Sequence, residues 1–188
     1  MNKKELREIY TAKRKELSNE KIEELSKRIG SNILKYFNLE NKTISLFLPI
    51  KSQNEINTFL LLDDFLKLGT IVGISKTNFK TLELTHYKYI SKDQLSLNSF
   101  GIPEPIFGEE IKPEKFEIVF VPLYTIDKDG QRVGYGKGIY DRFLKVCDKN
   151  CLFIGLNLFN KIEVIDNILP TDISLNYCVT PQKVIKFN

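Results

Sequence analysis

The chain has no tryptophan, a single histidine (His86) and three cysteines among 188 residues. Cys147, Cys151 and Cys178 are an odd set in helix- and strand-like contexts, so they are expected as reduced small hydrophobes. One histidine beside a Cys-x3-Cys spacing is not a zinc pattern. A Ser-His-Asp or Cys-His mechanism would have to run through His86, and no nucleophile elbow supports one. His86 alternates with Leu82 and Leu84, so it reads as a strand position rather than a catalyst. Long apolar runs are absent too. Ile118–Tyr124 and Cys151–Leu156 fall far short of the ~18 residues of a membrane span. The first residues, Met1 to Arg7, run into further charge and not into an apolar signal core. The expectation is a cytoplasmic protein with no membrane partner.

What is present is ordinary for a folded protein. Hydrophobic residues at 42% and charged residues at 28% exclude a disordered chain. The length fits one domain spanning 1–188, large enough to bury roughly 70% of its unfolded surface without a staple. The net charge of +4 is unevenly placed. Residues 1–30 carry nine Lys/Arg against six acids, and the remainder is nearly balanced. A nucleic-acid face needs dense cations with interleaved aromatics, whereas acids are mixed in here, so no nucleic-acid partner is expected. The excess reads as a solvated helix face, or as a counter-charge for a small anionic ligand.

Helical and extended segments alternate. Two helices are expected in the first 38 residues, the second capped by Ser18 or Asn19 and striped by Ile22, Leu25, Ile29 and Ile33. A third is expected over Asn57–Leu68 and a fourth over Gly138–Asp148. Strands are expected at Thr43–Leu48, Thr70–Ser75, Thr81–Ile90, Glu117–Val121 and Cys151–Leu156, with short extended pieces at Tyr177–Thr180 and Val184–Phe187. Gly101–Pro105 reads as a rigid loop. Helices between short all-apolar strands imply an α/β, three-layer domain with a mainly parallel central sheet and an N-terminal helical arm. Ligands of such sheets bind beyond the carboxyl ends of the strands, which directs attention to the residues after Leu48, Val121 and Leu156.

The second of these exits carries the chemistry. Four of ten glycines fall within residues 130–138, and Arg132 and Arg142 sit in or beside the run. Glycines let backbone N–H groups converge on an anion, Arg132 can add a fork and Lys137 a point charge. The spacing matches neither a Walker loop nor a dinucleotide fingerprint. Asp141, just beyond the run, reads either as favourable charge at a helix start or as an oxygen ligand for Mg²⁺.

Arg132-Val133-Gly134-Tyr135-Gly136-Lys137-Gly138-Ile139-Tyr140-Asp141 resembles the RLGxGxGYYD signature of the 5-formyltetrahydrofolate cyclo-ligase, or methenyltetrahydrofolate synthetase, family. Further resemblances follow in family order. They are Lys3 to Arg7 (KxxLR), Glu55-Ile56-Asn57-Thr58 (ExxT), Gly101 to Pro105, and Leu169-Pro170-Thr171-Asp172. Val133, Ile139 and Asn176 depart from the pattern, and Ile139 removes one aromatic ring. The resemblance implies conversion of 5-formyltetrahydrofolate and MgATP to 5,10-methenyltetrahydrofolate, ADP and phosphate, by phosphorylation of the formyl oxygen and ring closure by N10. It implies that Arg132 to Tyr140, including Gly134, Tyr135, Gly136, Gly138 and Ile139, binds ATP with Lys3, Lys4 and Arg7. Arg132 and Lys137 would act in catalysis, Asp141 and Asp172 would hold Mg²⁺, and Leu48, Glu55, Phe100 and Tyr140 would contact the folate. A monomer or weak homodimer is expected. The competing readings are another ATP-dependent kinase or ligase, a sugar-phosphate isomerase-like protein, and a nucleotide- or folate-binding module without turnover.

Overall fold

Asn2 starts the first helix. Its side chain accepts from the Lys4 and Glu5 N–H groups while Glu5 returns a bond to the Asn2 N–H, which satisfies donors no helical turn can reach. The helix, α1, runs Lys3–Lys15. Ser18 caps α2, Asn19–Tyr36, through the Lys21 N–H. In this computed structural model, which describes residues 1–187, α3 is Phe59–Lys67 and α4 is Ile139–Lys145. The strands are β1 (Thr43–Ser45), β2 (Ile71–Asn78), β3 (Glu83–Lys88), β4 (Leu95–Leu97), β5 (Pro103–Pro105) and β6 (Glu110–Ile111). They continue with β7 (Ile118–Pro122), β8 (Thr125–Ile126), β9 (Arg132–Val133), β10 (Leu152–Leu156), β11 (Tyr177–Val179) and β12 (Val184–Lys186).

Eight strands form one sheet in the order β12-β11-β10-β7-β1-β2-β3-β6. The five central strands, β11 to β2, run parallel, and antiparallel strands finish both edges. Pleating sends Ile118 and Phe120 to one face and Val119 and Val121 to the other. On the first face they meet Ile29 and Ile33 of α2 and Leu61 and Phe65 of α3. On the second they meet Phe143 and Leu144 of α4. This is the expected three-layer α/β architecture. The helix α1 joins neither layer. Its Leu6 and Tyr10 pack with Tyr124, Val133 and Ile165 beyond the end of β7. No helix among the described residues is long and apolar enough to cross a membrane.

The structure departs from the sequence expectations in several places; β2 runs on to Asn78 and the short β6 was not expected, and four further differences bear on the site. Gly101–Pro105 is not a loop throughout. Pro103–Pro105 forms strand β5, pairing antiparallel with β4 in the register Leu95↔Pro105 and Leu97↔Pro103. Proline's fixed φ suits an extended chain, and a two-stranded ribbon tolerates its missing N–H. The glycine-rich stretch opens with a hairpin, β8–β9, whose turn Asp127 stabilises by accepting from the Asp129 and Gln131 N–H groups. The fourth helix stops at Lys145, three residues early, and a turn follows in which Asp148 accepts from the Asn150 N–H. Finally, β1 ends at Ser45. Leu46 keeps one bond to the Gly73 carbonyl, and the chain then peels away from the sheet, held where Thr58 donates to the Phe47 carbonyl.

Candidate active site

The chain begins its sheet at β1, adds β2 on one side, and returns to add β7 on the other. The carboxyl ends of β1 and β7 therefore diverge, and crevices form at such points. A cavity of about 890 Å³ opens there, at the large end of the range for ligand pockets. Phe47 and Leu48 line it from the exit of β1, Pro122 from the end of β7, and Ser75 and Thr77 from β2.

Glu55 forms one wall. A 3-10 turn at Lys51–Gln53 and a left-handed Asn54 (φ 47°) bring it back under the end of β1. It is buried and accepts from the Ile50 N–H at 2.7 Å and from the Tyr135 hydroxyl. Burial pushes its carboxyl above the usual carboxylate range, while the Arg14 guanidinium, the Ile50 N–H and the Tyr135 hydroxyl oppose that shift. Tyr135 and Tyr140 are pushed above the usual phenol range, first by burial and then by the Glu55 charge. Neither phenol is a base near neutrality.

The glycine loop forms the adjoining wall, in contact with Glu55 through Tyr135. Gly136 (φ 88°) and Gly138 (φ 65°) take left-handed backbone that other residues rarely adopt. A Cβ on Gly136 would also come within 3.0 Å of the Arg7 guanidinium, which lies directly over the loop. Arg7 reaches it from α1 and donates Nε to the Gly134 carbonyl at 2.8 Å. Lys3, one turn earlier, also lines the cavity and pairs with Asp172. Lys137 stands over the tilted pair Phe79 and Phe100, 5.2 and 5.7 Å from their ring centres. Arg142 ties α4 to the loop and to the β2–β3 turn through the Lys137 and Leu82 carbonyls.

Arg132 is placed differently from a free fork. It is buried, with one terminal nitrogen on the Ile173 carbonyl at 2.6 Å and the other on Asp141 at 2.7 Å. Asp141 uses the same oxygen, Oδ1, for Arg132 and for the Ile173 N–H. Asp172 uses Oδ2 for both Lys3 and the Leu169 N–H. Among the described residues, each aspartate leaves its second oxygen without a protein donor. No group of three or more His, Cys, Asp or Glu among them is placed to hold a metal. Two half-engaged carboxylates on one cavity fit Mg²⁺, which binds through one or two carboxylates together with substrate phosphates.

The cavity thus brings together Lys3, Arg7, Leu48, Glu55, Phe100, Arg132, Asp141, Asp172 and the loop from Gly134 to Tyr140. It does not include Lys4, which is exposed on the far side of α1's first turn. Nor does it include the Val133 side chain, which belongs to the cluster that seats α1. His86 lies away from it, buried between Phe116 and Phe143 and bonded to Ser45. Sequence reasoning missed Phe79, for which a turn offers no signal, and Arg14. For Arg14 the signal existed. It continues the Leu6, Tyr10 spacing of four, so a cation occupies the inward stripe of α1.

The sequence profile of the 5-formyltetrahydrofolate cyclo-ligase family matches residues 1–181. The chain belongs to that family. With membership comes the enzyme class, a cyclo-ligase. A 5-formyltetrahydrofolate cyclo-ligase of Mycoplasma genitalium is 28% identical over 159 residues, covering 83% of this chain and 84% of its own. One from mouse is 32% identical over 114 residues, covering 57% of this chain, which spans 55% of the mouse protein's length. Among solved structures, a 5,10-methenyltetrahydrofolate synthetase of Aquifex aeolicus superposes with a TM-score of 0.81 at 29% identity, covering 100% of this chain and 94% of that one. The fold is that of the methenyltetrahydrofolate synthetases.

Proposed function

We propose that this cyclo-ligase, acting as one unit over residues 1–188, converts 5-formyltetrahydrofolate and ATP to 5,10-methenyltetrahydrofolate, ADP and phosphate within the cavity at the switch point. The observation that carries the reading is the meeting of a carboxylate and a cationic loop on one cavity. A buried carboxylate, Glu55, faces a glycine loop to which Lys3, Arg7 and Lys137 bring positive charge. A carboxylate acceptor suits the N–H groups of a pterin ring, and a cationic loop suits a polyphosphate. Leu48, Phe100 and Tyr140 offer apolar and aromatic surface to a flat folate between the two.

A formamide oxygen leaves poorly. Phosphorylating it makes it a good leaving group, after which the N10 amine attacks the same carbon, phosphate departs and N10 loses its proton. Phosphoryl transfer is catalysed mainly by positioning and charge neutralisation, which accounts for a site without a nucleophile. In this reading Lys3, Arg7, Lys137 and the loop amides hold the phosphates. Arg132 adds its charge from the wall and fixes Asp141 against the Ile173 turn. Asp141 and Asp172 would hold Mg²⁺, which supplies neutralisation of the charge that develops on the transferring group.

The test is a mixture of purified protein, 5-formyltetrahydrofolate and MgATP, followed by the near-ultraviolet absorbance of the methenyl product and by ADP. The expected result is one ADP for each methenyl group formed. ADP release with a different acceptor would favour another ligase, and ligand binding without turnover would favour a binding module.

A further inference from the structure

Arg14 is 3% exposed and does not line the cavity, yet its side chain ends one residue away from it. Its guanidinium donates Nη2 to the Leu123 carbonyl at 2.7 Å and Nη1 to the Tyr135 hydroxyl at 3.4 Å, and it lies 4.5 Å from the centre of the Tyr124 ring. Its Nε has no partner among the described residues. The Tyr135 hydroxyl, accepting from Arg14, spends its own proton on Glu55. The Arg14 backbone takes part as well, since its carbonyl accepts from the Asn54 side chain at 2.8 Å and Asn54 is the left-handed residue immediately before Glu55.

We infer that Arg14 is a positioning residue for the folate, holding the Glu55 carboxylate as a charged, fixed acceptor through Tyr135 and Asn54. This rests on the reading of Glu55 as the pterin-binding group. A buried guanidinium with one short bond to a carbonyl, a long one to a phenol oxygen and an unpartnered Nε is only partly satisfied, which is costly for a residue that served packing alone. The arrangement is explained once the buried negative charge is counted with it. Arg14 is the largest influence opposing the protonation that burial favours at Glu55. The other groups facing Glu55 are Tyr135 from the glycine loop and Tyr140 from α4, with Tyr124 behind them against Arg14. Burial holds Tyr135 and Tyr140 as neutral phenols across the working range. Glu55 is therefore the group in this cluster whose charge can change, and Arg14 opposes the protonation that burial favours.

The inference separates Arg14 from the residues that meet ATP. Arg14→Gln should raise the KM for 5-formyltetrahydrofolate about tenfold at pH 7 and leave the KM for ATP unchanged. The deficit should shrink as pH rises, because higher pH restores the carboxylate whose charge Arg14 no longer supports. Arg14→Lys, which keeps the charge and loses the fork, should recover most of the folate affinity. Combining Arg14→Gln with Glu55→Gln should cost no more than Glu55→Gln alone. If Arg14→Gln fails to fold, Arg14→Lys still decides the matter: with the charge kept, the Glu55 C=O infrared band, assigned by difference against Glu55→Gln, should vanish over the same pH range as in the wild type, and a band that persists to higher pH would overturn the inference. Additive losses, a pH-independent deficit or an equal rise in the ATP KM would overturn the inference. If Glu55→Gln by itself left the folate KM unchanged, the fault would lie in the reading of Glu55 and not in the role of Arg14.

Discussion

Two buried groups show how differently a side chain's surroundings can direct its charge. Glu55 is buried against an opposing cation, two hydrogen-bond donors and an open cavity, which suits a group that meets a ligand. Glu55→Gln keeps the shape and removes the charge, so the folate KM should rise about tenfold while the ATP KM stays within twofold, as measured by steady-state kinetics with each substrate varied. His86 is buried against aromatic rings, with Ser45 as its one polar partner. Burial alone pushes its pKa from 6.5 down to about 3. A depressed histidine leaves stability intact above the unfolded pKa, and stability falls as pH drops below that value toward the folded pKa. Between pH 6.5 and 5 this single group should cost about 2 kcal/mol. His86→Phe should therefore be about 1 kcal/mol less stable than the wild type at pH 7, from the missing Ser45 bond, and about 1 kcal/mol more stable than it at pH 5. Urea unfolding at both pH values checks it, and a constant difference would show that His86 is not held neutral.

Among the elements, α1 and the glycine loop form one unit. Leu6 and Tyr10 seat the helix on Val133 and Tyr124, and Arg7 then crosses to the Gly134 carbonyl above Gly136. Gly136→Ala meets both a left-handed backbone and the Arg7 guanidinium, so it should raise the ATP KM at least tenfold, with a smaller change for folate. An equal effect on both substrates would mean that the loop serves the whole cavity. The helices and the parallel strands were legible because their apolar periods are strong, as in Ile22, Leu25, Ile29 and Ile33 or Ile118 to Val121. The β8–β9 hairpin and the β4–β5 ribbon were not, since two- and three-residue strands are fixed by pairing across space and leave no period to read. The same holds for site residues. Glycines 134, 136 and 138 announce a backbone role in one stretch of sequence. Arg14 acquires its meaning only when α1 is laid beside Glu55, which is 41 positions further along. The Arg132 fork showed the reverse. Its residue type pointed to a ligand, while the fold gives it two protein acceptors, the Ile173 carbonyl and Asp141.

For the molecule as a whole, the net charge of +4 acquires a location. The N-terminal excess that first read as a solvated face puts Lys3 and Arg7 on the cavity and Arg14 behind its wall, while Lys4 stays in solvent. One cavity at the switch point of the sheet carries a carboxylate wall, a cationic wall and two half-engaged aspartates, and the proposed chemistry needs all three in contact with one pair of substrates. The claim at the centre of this account is that the phosphoryl group passes to the formyl oxygen inside that cavity. Following an ¹⁸O label placed in the formyl group tests it most directly. The account predicts that, in a reaction with MgATP, the label is recovered in inorganic phosphate in step with the methenyl product. Label released into water, or retained on the folate while ADP accumulates, would contradict it.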